Sequence, residues 1–190
     1  MLHRGPHAVY LDLDGSCLGV LAAGAVAVPC ALQTRLPVLP EMVEVRLDGG
    51  VLHLDGVPLR IGRITDPRVP VVTRRRLGPL RVAVDRLLGA GDGLTPYGDD
   101  VLCGWLAMHR AAGHASAEVD AAVRDLMHRT TSLSAALLDC ALHGEVIPEF
   151  AAYVVALGTE GEDAAAHRLR AVGHTSGAGL LEGAGWALAA

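Results

Sequence analysis

The sequence predicts an α+β protein, with an N-terminal small antiparallel β-barrel or sandwich followed by a C-terminal α-helical bundle. Two observations carry this expectation. Short apolar stretches separated by Asp-Gly and Gly-Gly turn signals crowd the first part of the chain. Further on, apolar residues recur at helical spacing in longer segments with capping residues in front and glycine behind. The division falls at 1–75 for the β-rich part and 76–190 for the helical part, taken together as one folding unit.

In the β-rich part, Ala8 to Leu13 alternates and ends at Asp14-Gly15, a hairpin signal. Cys17 to Ala22 and Ala25 to Leu32 read as further strands with Gly24 between them. Met42 to Leu47 and Val51 to Leu54 flank Asp48-Gly49-Gly50, the clearest hairpin, and Val57 to Ile61 adds a strand after Asp55-Gly56. Residues 63–79, with Pro67, Pro70 and Pro79 around Arg74-Arg75-Arg76, read as a linker whose arginines form a solvated charge run. Helices are then expected over Leu80 to Leu88, Pro96 to Ala112, Ala117 to Arg129, Ala135 to Leu142, Ile147 to Leu157, Glu162 to Val172 and Leu180 to Ala189.

Composition narrows the function. With 190 residues and 51% hydrophobic residues, the chain can bury a sizeable core. A formal charge of −5 and only 3% aromatic residues argue against a nucleic-acid binder. Cys17, Cys30, Cys103 and Cys140 show no zinc spacing, and scattered thiols without an export signal suggest a cytoplasmic protein. The apolar stretch from Gly15 to Leu32 is broken by Gly19, Gly24 and Pro29, so it reads as strands rather than a signal peptide or membrane span.

Three stretches carry candidate chemistry. Gly89-Ala90-Gly91-Asp92-Gly93-Leu94-Thr95-Pro96-Tyr97-Gly98-Asp99-Asp100 is a glycine loop leading into a helix, with Thr95 placed as N-cap and Pro96 as the first helical residue. It is neither a Walker loop nor a dinucleotide fingerprint. Thr130-Thr131-Ser132-Leu133-Ser134 puts hydroxyls ahead of a second helix, with Thr131 or Ser132 as cap. Gly173-His174-Thr175-Ser176-Gly177-Ala178-Gly179 does the same for the last one. Helix N-termini present free N–H groups and about half a positive charge, so three of them meeting would make an anion cup. Gly91, Gly93, Thr95, Thr131, Ser132, Thr175, Ser176 and Gly177 are then the substrate-binding candidates, and Asp99, Asp100 and His174 the catalytic ones. The acids have three roles open: holding Mg²⁺ through water, orienting a hydroxyl or His174, or accepting the N–H groups of an amide substrate.

The run from Gly91 to Asp100 resembles the Gly-x-Gly-Leu-Thr-Pro-Ser-Gly-Asp-Asp signature of the AllH-like family, and the two later hydroxyl-rich stretches look like that family's as well. Tyr97 stands where the family has a small residue, and Asp92 adds a charge to the loop. The resemblance implies a subunit of an oxamate carbamoyltransferase of anaerobic allantoin breakdown, working with partner subunits. Phosphate, carbamoyl phosphate and oxalurate are the implied small anionic ligands. Two alternatives stand beside it: a non-catalytic anion-sensing or assembly subunit using the Gly-rich last helix, and a metal-dependent hydrolase using Asp99, Asp100 and His174.

Overall fold

The computed structural model describes residues 1–41, 44–72 and 77–189. It is α+β, with two small β-sheets followed by seven α-helices among the described residues. The chain divides into two compact units, one of residues 1–25 and 31–66 and the other of residues 26–30 and 67–190.

In the first unit, one sheet runs β1 (His3–Arg4), β2 (Ala8–Leu13), β3 (Ser16–Leu21) and β4 (Ala31–Gln33) in spatial order. β2 and β3 form the expected hairpin, with Ala8 opposite Leu21 and Leu13 opposite Ser16. Asp14 and Gly15 turn it with φ of 51° and 88°, the left-handed pair that a tight hairpin requires. The second sheet holds β5 (Val45–Asp48), β6 (Val51–Leu54) and β7 (Val57–Pro58). Gly49 and Gly50 turn its first hairpin at φ of 55° and 79°. Both sheets are open, so no barrel forms; they share an apolar core of Val9, Leu11, Val20, Ala22, Leu39 and Leu52.

Two strands are shorter than expected. Within Ala25 to Leu32, only the last two residues join β4, which pairs in parallel with β3. Residues 26–30 leave the sheet, and Val26 and Val28 pack into the helical unit's core instead. Val57 to Ile61 pairs as a strand only to Pro58; Leu59 still packs against the sheet core and donates its N–H to Leu52 O, while Ile61 is 66% exposed. Met42 lies outside the described residues, as do Arg74, Arg75 and Arg76 of the charge run.

The helical unit contains α1 (Val84–Leu87), α2 (Tyr97–Ala111), α3 (Ala117–Leu126), α4 (Ser132–Leu142), α5 (Pro148–Ala156), α6 (Glu162–Arg170) and α7 (Ser176–Leu188). A 3₁₀ turn, Met127–Arg129, follows α3. α1 is a single turn, because the peptide groups just ahead of it close tight turns, Arg81 N–H to Pro79 O and Val84 N–H to Val82 O. α2 is the axis: all its residues except Tyr97 and Arg110 are buried. Arg110 fastens the far end, donating to both oxygens of Asp120 at 2.7 Å and to Leu142 O at 2.8 Å. The supposed linker is partly structured, since Val69 N–H donates to Gly144 O and Val146 N–H to Pro67 O, both on α4's exit.

α7 begins at Ser176, four residues ahead of the expected start, so Gly177 and Gly179 lie inside it. They are needed there for packing. A Cβ on Gly177 would strike Leu169 O, one on Gly179 would sit 2.8 Å from Asp100 Cβ, and one on Gly183 would strike Val101 O. Gly104 on α2 answers them, lying directly against Leu180 O. Backbone-to-backbone contact of this kind brings the start of α7 onto the start of α2.

Candidate functional site

The glycine loop leaves α1 and delivers the chain to α2. Gly89, Gly91 and Gly93 take φ of 78°, 116° and 94°, a region closed to side chains without strain. Gly91 also lies so close to the Tyr97 N–H that a Cβ would come within 2.8 Å of it. Pro96, not Thr95, is the N-cap of α2, and no side chain caps this helix. The Thr95 hydroxyl is engaged elsewhere: its Oγ1 lies 2.9 Å from Ser176 Oγ, at the first residue of α7.

α4 starts beside them. Thr131 caps it, accepting from Ser134 N–H at 3.1 Å, and its hydroxyl donates to Leu94 O at 2.5 Å. Thus the peptide just before Thr95 is held by α4's cap, and Thr95 itself by α7. Three helix starts widely separated in sequence come together through side-chain hydroxyls. Some of their N–H groups are used internally, Gly98 N–H by Ala90 O and Gly177 N–H by Val172 O. The other first-turn N–H groups keep the partial positive charge of a helix start.

The two acids of α2 differ in their surroundings. Asp99 is fully buried and saturated: Gly89 N–H donates to Oδ1 at 2.6 Å, while Ser134 Oγ at 2.6 Å and Thr130 Oγ1 donate to Oδ2. It ties the loop's first residue to the beginning of α4. Asp100 is 5% exposed, and its Oδ2 receives no hydrogen bond among the described residues. Burial pushes this carboxyl up to about 7, the nearby Asp99 charge adds to the rise, and the Ser176 and Thr95 hydroxyls oppose it.

Of the two acids suggested for Mg²⁺, Asp99 is the less available. It already accepts three hydrogen bonds, one at Oδ1 and two at Oδ2, whereas Asp100 Oδ2 accepts none among the described residues. No group of three His, Cys, Asp or Glu side chains gathers as a metal cage among the described residues.

The family model for the oxamate carbamoyltransferase subunit AllH matches residues 87–188, from the end of α1 through α7. The chain belongs to the AllH family. No curated protein and no solved structure matches it. The matched span contains the glycine loop, both acids and all three helix starts, and leaves the two sheets outside. Among the described residues no helix is long and apolar enough to cross a membrane.

Within this AllH chain the sequence-derived residues sort by position. Thr95, Thr131, Ser176, Asp99 and Asp100 are drawn into one hydrogen-bonded neighbourhood. Gly91 and Gly93 line the exposed loop leading into it. Ser132, His174 and Thr175 are exposed at the starts of α4 and α7. Gly177 is buried against Leu169 O and serves packing. Thr130 and Ser134, the hydroxyl donors to Asp99, belong to a stretch the sequence singles out, but nothing in its spacing tells which hydroxyls turn inward. Glu182 was also missed; it accepts from the Tyr97 hydroxyl and pushes that phenol up to about 12. Tyr97 therefore braces α2 against α7.

Proposed function

We propose that this chain is the subunit of an oxamate carbamoyltransferase-type enzyme that receives a small anion where α2, α4 and α7 begin. The ligand is phosphate, carbamoyl phosphate or oxalurate. The observation that carries this reading is the 2.9 Å contact of Thr95 Oγ1 with Ser176 Oγ beside Asp100, a buried carboxyl whose Oδ2 has no hydrogen-bond partner among the described residues. Two uncapped helix starts, their hydroxyls and a titratable acid share one small volume there.

In the proposed reaction a phosphate oxygen attacks the ureido carbonyl of oxalurate. The bond from that carbon to the inner nitrogen breaks, oxamate leaves with the proton phosphate brought, and carbamoyl phosphate remains. Thr95, Ser176 and the Gly91–Gly93 loop would bind the anionic groups, with Thr131, Ser132 and Thr175 at the edge. Asp100 would accept or carry the proton, Asp99 would hold the loop in place, and His174 would act from the exposed rim. Partner subunits would complete the enzyme in the cytoplasm. The assembly-only alternative needs the apolar face and the Gly-rich last helix for contact; Gly177, Gly179 and Gly183 pack within this chain, while Gly185 and Trp186 remain on the outer side.

Calorimetry of the chain, alone and with its partner subunits, tests the reading. At least one of the three ligands should bind, and Ser176→Ala with Thr95→Val should weaken that binding about tenfold or more. Failure of all three ligands to bind in either setting would end it.

A further inference from the structure

The site just described holds an acid where an anion cup would be expected to hold a base. Asp100 is buried, its Cβ is packed against Gly179, and its Oδ2 has no donor. A carboxylate so placed is incomplete: every buried acceptor needs a donor, and the described residues supply none to this oxygen. Asp99 next door shows the contrast, since the fold brings it three donors. The missing donor at Asp100 is therefore the ligand's to provide.

We infer that Asp100 reads the N–H hydrogens of a carbamoyl or primary-amide end of the ligand and rejects an isosteric carboxylate or phosphate oxygen at that position. The inference rests on the proposed function of this site and specifies what lies against which wall. The ligand's anionic end faces the helix starts and the glycine loop; its amide end faces Asp100. An N–H of the amide donates to Oδ2. An oxygen of a second carboxylate placed there would meet like charge at short range beside a buried, poorly solvated carboxyl. Discrimination by a buried polar group left unpaired or repelled is far steeper than discrimination by shape.

The charge around Asp100 supports this orientation. Asp99 lies beside it on α2, and Glu182 stands on α7 with the Tyr97 hydroxyl between. Cys103, one turn further along α2, is buried and pushed up as a thiol, so it contributes no charge. His174 is exposed on the turn before α7 and forms no ion pair there among the described residues. Among the described residues, the groups acting on Asp100 are the Ser176 and Thr95 hydroxyls and the Asp99 carboxylate, none of them cationic. A second negative group finds no cation at this carboxyl among the described residues, whereas a neutral amide needs no neutralising.

Oxamate and oxalate make the test, since they differ only in an NH₂ against an O⁻. Their dissociation constants are measured by calorimetry from pH 5.5 to 8.5 on the full chain, wild type and Asp100→Asn. Wild type should prefer oxamate by tenfold or more at pH 8. The preference should shrink as pH falls through about 7, because a protonated Asp100 can donate to oxalate. In Asp100→Asn, whose amide both donates and accepts, the preference and its pH dependence should disappear. If both ligands bind but the wild-type preference is absent, or survives unchanged in the variant, Asp100 is not the reader while the anion site stands. If neither ligand binds at any pH, this inference falls together with the reading beneath it.

Discussion

Asp99 and Asp100 are neighbours in sequence with opposite consequences for stability. Replacing Asp99 with Asn would set an NH₂ group against donors that now share two carboxylate oxygens, at a cost of about 3 kcal/mol by urea denaturation. Asp100 works the other way. Its folded pKa of about 7 exceeds the ordinary 3.8, so its contribution to stability is full below about pH 4 and is lost as pH rises through 7. Three units at 1.4 kcal/mol each make the span about 4 kcal/mol. Asp100→Asn should therefore gain on wild type as the pH is raised from 4 to 8, and a constant difference between their urea midpoints would refute this. His109 adds a loss on the acid side. It is fully buried against Trp105, both ring nitrogens lack partners, and burial lowers it from 6.5 to about 4, with smaller contributions from His114 and Arg110. Being depressed, it costs stability as pH falls from about 6.5 to 4, by about 3 kcal/mol. His109→Phe should flatten that limb in the same titration. None of these roles could be read from the sequence, where both acids looked equally available and His109 was one histidine among nine. Burial and partner count decide them, and those belong to the folded chain.

Elements were read best where the local signal was strong. The Asp14-Gly15 and Gly49-Gly50 hairpins form as their turn residues demand, and Thr131 caps α4 as its position implies. The misreadings occur where tertiary packing overrides local preference. Thr95 gives up the cap of α2 to meet Ser176, and glycines that resemble a loop are the flat side of α7. Residues 26–30, apolar enough for a strand, go to the other unit's core. The glycines allow a direct comparison within one helix. Gly183→Ala would push α7 off Val101 O and cost about 2 kcal/mol or more, and it should weaken ligand binding by parting Thr95 from Ser176. Gly185→Ala meets nothing within 4 Å and should stabilise by about 0.5–1 kcal/mol, the ordinary gain of alanine over glycine in a helix. Equal thermal midpoints for the two variants would show that α7 does not depend on close approach.

At the scale of the whole chain, the sequence suggests a cut near residue 75, but the helical unit draws on residues well before it. Val26 and Val28 pack against its core, and residues 67–72 are pinned to it by the bonds of Val69 to Gly144 O, Pro67 O to Val146 and Val72 N–H to Ala111 O. Val72's bond reaches the last residue of α2, the helix whose first turn carries both acids. A fragment starting at residue 76 would leave Gly144 O, Ala111 O and Val146 N–H without these partners, and each buried group so exposed costs about 1 kcal/mol. It would also uncover the apolar surface beneath Val26 and Val28, at about 25 cal/mol for every Å². A fragment 67–190 restores the bonds but not the valines. Urea unfolding should therefore rank the helical unit as least stable from residue 76, intermediate from 67 and most stable in the full chain. Hydrogen exchange at Gly144, Val146 and the end of α2 should quicken in the shortest fragment. Equal stability of all three would mean that the early residues lie on the helices without supporting them, and that the boundary suggested by composition is also the energetic one.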